Sequence, residues 1–145
     1  MMIDRFKFRV WNKKQNRFHH SFYCDITANG TLVISQGIEG KKYIVDDDNY
    51  VIQQSTGLKD KNGKLIFEGD IVSIDDGELK GVAQRHDKFD EYYGCIEIKL
   101  ICKYTTIYKP TVFAESEVIG NIYENPELLE VEEWVIYAKP NKTKC

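Results

Sequence analysis

Residues 56–72 read Thr-Gly-Leu-Lys-Asp-Lys-Asn-Gly-Lys-Leu-Ile-Phe-Glu-Gly-Asp-Ile-Val, two apolar runs punctuated by three glycines, and this stretch decides the fold. Asn62-Gly63 suits a tight turn, because Asn and Gly tolerate the left-handed backbone that two-residue hairpin turns require. The chain should reverse there and continue as the strand Leu65-Ile66-Phe67. Glu68-Gly69-Asp70 then parts that run from Ile71-Val72-Ser73-Ile74, and a single Gly between two β-prone runs marks a sharp bend or a bulge. On this reading Thr56, Gly57, Asp60, Asn62, Gly63, Glu68, Gly69 and Asp70 form a structural signature, with Asp70 suited to bond its own loop backbone. The stretch holds no nucleophile beside a base, no metal-ligand spacing and no phosphate loop, so it points to architecture and to no reaction.

On its N-terminal side, Phe6, Phe8 and Val10 alternate with Arg5, Lys7 and Arg9, which turns the aromatic side inward and the basic side to solvent. The polar run at 12–16 folds this strand back on residues 17–24 as a hairpin, and Asn29-Gly30 marks the next reversal. Asp46-Asp47-Asp48 reads as a solvated loop before the strand Tyr50-Val51-Ile52-Gln53-Gln54. On the C-terminal side, Asp75-Asp76-Gly77 joins two strands. Ile96, Ile98, Leu100 and Cys102 then line one face of another, with Glu97, Lys99 and Lys103 on the opposite face. Asn125-Pro126-Glu127 opens one short helix. The fold class is therefore mainly β: antiparallel strands in a small, partly open SH3-like barrel or sandwich, with N-terminal hairpins and one short C-terminal helix. The barrel likeness is an analogy of fold and carries no function. Residues 1–130 are expected to make one domain, and 131–145 a C-terminal strand with a flexible tail. Within that tail Trp134, Val135, Ile136 and Tyr137 are apolar on both strand faces, an arrangement suited to self-association.

A chain of 145 residues can bury a core without staples. Its 42% hydrophobic and 30% charged residues are ordinary for a soluble domain, while nine Tyr and seven Phe favour sheet. The net charge of −3 removes the bulk reason to expect nucleic acid. Lys7, Arg9, Lys13, Lys14 and Arg17, interleaved with Trp11 and Phe18, are the one basic-aromatic stretch, which fits either a nucleic-acid surface or a solvated strand face. Cys24, Cys95, Cys102 and Cys145 make no C-x-x-C pair, and neither a signal-peptide core nor a bilayer-spanning run is visible, so a cytoplasmic protein with reduced thiols and no membrane partner is expected. His19 and His20 point to opposite faces of a strand, so no metal is expected; no cofactor motif is visible. Residues 86–93, from His86 to Tyr93, form the loop richest in functional side chains. Sequence adjacency does not bring His86 together with Asp87, Asp90 or Glu91, and the chain is not expected to be an enzyme.

Three segments carry a resemblance. Lys7-Phe8-Arg9-Val10-Trp11, the stretch at 56–72, and Ile119-Gly120-Asn121-Ile122-Tyr123-Glu124-Asn125-Pro126-Glu127-Leu128-Leu129 together make the sequence similar to the YopX family of phage and prophage proteins. Asn12 stands where many members carry Asp, and Ser55 where an aromatic often precedes Thr-Gly-Leu. The resemblance covers most of the chain and leaves the tail outside. It implies a mainly β, homo-oligomeric protein made from a phage or prophage genome in the bacterial host cytoplasm, and it brings no catalytic residue. Three function classes follow in order: a protein-interaction or assembly module whose partner is itself or an unknown phage or host protein, a weak nucleic-acid-associated accessory protein, and last an enzyme using residues 86–93.

Overall fold

The computed structural model describes residues 7–19, 24–36, 38–45, 48–74, 77, 79–85, 96–100, 106–107 and 111–130. The strands are β1 (Phe8–Asn12), β2 (Arg17–Phe18), β3 (Cys24–Ile26), β4 (Leu32–Gln36), β5 (Lys41–Val45), β6 (Tyr50–Lys59), β7 (Leu65–Phe67), β8 (Asp70–Ile74), β9 (Leu79–Arg85), β10 (Ile96–Leu100), β11 (Thr106–Ile107) and β12 (Glu117–Asn121). A five-residue helix, α1 (Thr111–Glu115), precedes β12, and one 3-10 turn covers Pro126–Leu129. The fold is mainly β, as the period-two alternation requires.

The strands form three antiparallel sheets, in the orders β2-β1-β6-β7, β11-β10-β9-β8-β12 and β3-β4-β5. In the five-stranded sheet β8, β9 and β10 follow one another as a meander, and β12 returns to pair with β8 through a bulge between Val118 and Gly120, curling the sheet into a half-barrel. Its core holds Ile66, Val72, Ile74, Ala83 and Ile98, closed by Phe113 from α1. A second cluster joins Val10 of β1 to Cys24, Leu32 and Ile34 of the three-stranded sheet.

β1 is consequently covered on both faces. Val10 faces the second cluster while Trp11, 2% exposed, stacks on Tyr123 beyond β12 at 5.7 Å. The alternation at residues 5–10 was expected to turn its basic side to water, and Arg9 instead points at the five-stranded sheet. Glu97 also departs from its expected outward face: it is 2% exposed on β10 and accepts a hydrogen bond from Gln84 Nε2 across the β9–β10 pair. At the expected C-terminal helix only the single 3-10 turn forms. There Asn125 does not cap the turn with its side chain; Oδ1 instead accepts the N–H of Asn121 at 3.2 Å.

Candidate functional site

The family-like motifs meet in space. Asp70 opens β8 at the bend after Gly69, where its Oδ2 accepts the N–H of Phe67 at 2.9 Å and closes the turn. Its Oδ1 faces Arg9 on β1 in an ion pair and also accepts Asn121 Nδ2 of β12 at 3.2 Å. Gln53 of β6 completes the cluster, its Oε1 accepting Arg9 Nε at 2.9 Å and Asn121 Nδ2 at 3.1 Å. Asp70 is 1% exposed, so its charge is out of water and depends on these donors. The Arg9 guanidinium lies 4.5 Å from the ring centroids of both Phe18 and Phe67. Four strands are thereby fixed to one another by groups whose donors and acceptors face inward. The cluster is suited to holding the sheets in register and offers no open position for a substrate.

A second tie lies at the hairpin of residues 60–64. Asp60 Oδ1 accepts the N–H groups of Asn62 and Lys64, both at 2.9 Å, and Oδ2 accepts that of Val118 on β12 at 3.0 Å. Burial pushes this carboxyl up, but the three N–H donors and the nearby Lys64 charge outweigh it and hold its pKa below the usual value. Gly63 adopts φ +79° in the turn, the left-handed conformation expected there, whereas Asn62, expected to share it, does not take a positive φ. Thr56 Oγ1 donates to Ile66 O at 2.8 Å, and Gly57 sits at φ +78° in the register shift between β6 and β7. Glu68 forms an ion pair with Arg85 at 3.2 Å. Thr56, Gly57, Asp60, Gly63 and Asp70 thus take part in turn or sheet geometry, while Glu68 holds a partly exposed ion pair.

The basic stretch divides. Trp11 is buried and Arg9 half-buried, whereas Lys13, Lys14 and Arg17 are exposed on the β1–β2 turn and its margin and Lys7 is exposed just before β1. Burial first and Arg17 second push the His19 imidazole below its ordinary value, and its Nε2 lies 3.1 Å from Asn12 Nδ2. Cys24 is buried, and burial followed by the Asp25 charge raises its thiol pKa, so it packs as a small apolar residue. His20, residues 86–93, Cys95, Cys102, and Trp134, Val135, Ile136 and Tyr137 with Cys145 lie outside the described residues. No helix among the described residues is long and apolar enough to cross a membrane.

The open surface lies elsewhere, on β5. This strand pairs with β4 and has no strand on its other side among the described residues. Tyr43 is 44% and Ile44 76% exposed, and Ile44 lines an open groove shared by apolar residues such as Leu32 and Ile52 and polar ones such as Asn29, Thr31 and Asp48. Two residues that matter here carried no sequence signal. Gln53 occupies an inward strand position that alternation reserves for apolar residues, and Ile44 reads as core.

The family model for YopX protein matches residues 7–130. No curated protein matches. Among solved structures, protein yopX from Bacillus subtilis is 25% identical with a TM-score of 0.55, the match covering 85% of this chain and 97% of that one. Protein EF1440 from Enterococcus faecalis is 29% identical over 86% of this chain and 97% of that one, with a TM-score of 0.46. The matched span takes in Arg9, Gln53, Asp60, Asp70 and Asn121 together, and this chain belongs to the YopX family.

Proposed function

We propose that this chain is a phage- or prophage-encoded protein-interaction or assembly module, homo-oligomeric and acting in the bacterial host cytoplasm, whose docking surface is the outer margin of β5. The observation that carries this reading is the distribution of side chains. The half-buried Arg9 and the buried Gln53, Asp70 and Asn121 bond one another, while β5 presents Tyr43 and Ile44 to solvent, Ile44 on the wall of an open groove of mixed polar and apolar lining. An outermost strand with large exposed apolar residues is a template for another chain, and monomeric proteins usually blunt such edges. Ile44 is too exposed to support the core, so Ile44→Asp should leave the far-UV circular dichroism and melting temperature unchanged while lowering the mass measured by light scattering. A variant that assembles like the wild type overturns the reading.

A nucleic-acid role is the second reading, supported by the cations Lys13, Lys14 and Arg17 grouped on one exposed turn. It loses Arg9 and Trp11, which face inward, and with them the aromatic platform that a single-stranded ligand would stack on.

A further inference from the structure

We infer that His19 is an acid-sensitive latch on the β1–β2 hairpin: neutral, it accepts the Asn12 amide and fastens β2 to β1; protonated, it lets β2 go. The inference stands apart from the β5 docking surface and uses only the hairpin and its neighbour β6.

The polar contacts fix which proton each group carries. Asn12 is 3% exposed, and its Oδ1 accepts the backbone N–H of Gln15 at 3.0 Å inside the turn. That bond sets the orientation of the side-chain amide, since turning it over would aim Nδ2 at the Gln15 donor. Nδ2 therefore points at His19 Nε2, 3.1 Å away, and has to donate. Nε2 can accept only in a neutral imidazole whose proton sits on Nδ1. An added proton is not accommodated by rotation. Both nitrogens of an imidazolium are donors, so turning the ring presents an N–H to Asn12 either way. Turning the Asn12 amide instead satisfies the imidazolium but takes the acceptor away from Gln15. In either case the hairpin loses one of the two bonds that Asn12 makes.

The surroundings act in the same direction. Arg17, on the same hairpin, and Tyr50, on β6, face the imidazole. Burial opposes a charge there most strongly and the Arg17 guanidinium adds to it, so the ring holds a proton less tightly than an ordinary histidine. The Tyr50 ring, 5.5 Å off and tilted by 41°, is near the limit of cation–π reach and offers a cation little. With the folded pKa lowered, the contribution of the Asn12–His19 bond to stability is complete above about pH 6.5, the ordinary value. It is lost as pH falls through the lower folded value.

β2 is short enough for one bond to matter. It has two residues, stands outermost in the four-stranded sheet, and pairs with β1 at Phe18–Trp11 and Arg17–Asn12. Phe18 rests edge-on against Trp11 at 4.9 Å with the Arg9 guanidinium over its ring, and the His19 N–H donates to Val10 O at 2.8 Å. Once released, β2 draws Phe18 away from Arg9 and leaves the edge of β1 unpaired.

The test is NMR of the 15N-labelled full chain between about pH 7.5 and about pH 5, the range in which histidine titrates. The His19 ring, assigned by its loss in H19Q, should show the Nδ1–H tautomer at the upper pH and titrate below about 6.5, and the backbone N–H of Gln15 should shift with the same midpoint. A ring carrying its proton on Nε2, or a midpoint at or above the ordinary value, overturns the inference. H19Q supplies an amide oxygen that can accept from Asn12 at any pH, so this variant should fold and its Gln15 signal should lose the acid step. A step that survives in H19Q also overturns it. N12D reverses the sign: its carboxylate accepts from both Gln15 and the imidazolium, so the His19 midpoint should rise above the ordinary value. A midpoint that stays low in folded N12D contradicts the latch; should N12D fail to fold, the wild-type tautomer and H19Q decide the question alone.

Discussion

At the scale of single residues, Gly69 is where backbone and network meet. It adopts φ +88°, donates its N–H to Ala83 O at 2.8 Å and accepts from Ile122 N at 3.0 Å. A Cβ added there would lie 2.2 Å from Gln53 Nε2, so a side chain meets both a backbone conformation that L-residues rarely adopt and the amide that bonds Arg9 and Asn121. Gly69→Val should therefore destabilise the protein by about 2–4 kcal/mol, the strain of a β-branched residue at positive φ plus disturbed buried hydrogen bonds. Urea unfolding measures it, and a midpoint equal to that of the wild type would mean that Gln53 and the bend move aside freely. The need for Gly at this position was legible, since a lone Gly between two β-prone runs announces a bend. The role of Arg9 was not, because its partner Asp70 stands 61 residues away and nothing local distinguishes an inward arginine from a solvated one.

At the scale of elements, the hairpin turns were readable and their tertiary ties were not. Asp-Lys-Asn-Gly predicts the reversal at 60–63 from local chemistry, but the third hydrogen bond of Asp60 comes from Val118, 58 residues on. That bond fastens the β6–β7 turn to β12, aided by the Lys61–Glu117 ion pair at 2.9 Å. Asp60→Asn keeps the size of the side chain while replacing one acceptor oxygen with a donor, so one of the three N–H groups loses its partner. The expected cost at pH 7 is about 1–3 kcal/mol. The sign of the pH dependence follows from the lowered pKa of the carboxyl in the folded chain. A group whose folded pKa is depressed contributes stability above its unfolded value, about pH 4, and loses it as pH falls through the lower folded value. The stability difference between wild type and Asp60→Asn should hold steady from about pH 5 upward and shrink below about pH 4. Urea midpoints at several pH values check this, and a gap that widens on acidification would contradict the depressed carboxyl.

At the scale of the whole molecule, the mainly β, antiparallel character was visible in alternation and turns, while the helix at Val112-Phe113, which reads as a short strand, and the stacking of three sheets around β1 were not. Period two reports that a strand has two faces, and it is silent on whether a second layer covers the outer one. Covering β1 on both sides has a consequence for partners, because it draws Arg9 and Trp11 inward and leaves three cations, Lys13, Lys14 and Arg17, on the β1–β2 turn of a chain whose net charge is −3. A duplex held by so few cations would release few counterions, so any binding to DNA should be weak, with a log–log salt slope no steeper than about −3, and should fade as salt approaches physiological strength. Fluorescence anisotropy with a labelled duplex across a salt series tests this against the K13E/K14E/R17E variant. The reversal should abolish the residual signal while leaving the light-scattering mass unchanged, since that turn and β5 belong to different sheets. Tight binding that resists salt, or binding that survives the reversal, would require a second basic surface and would raise the nucleic-acid reading above the assembly one.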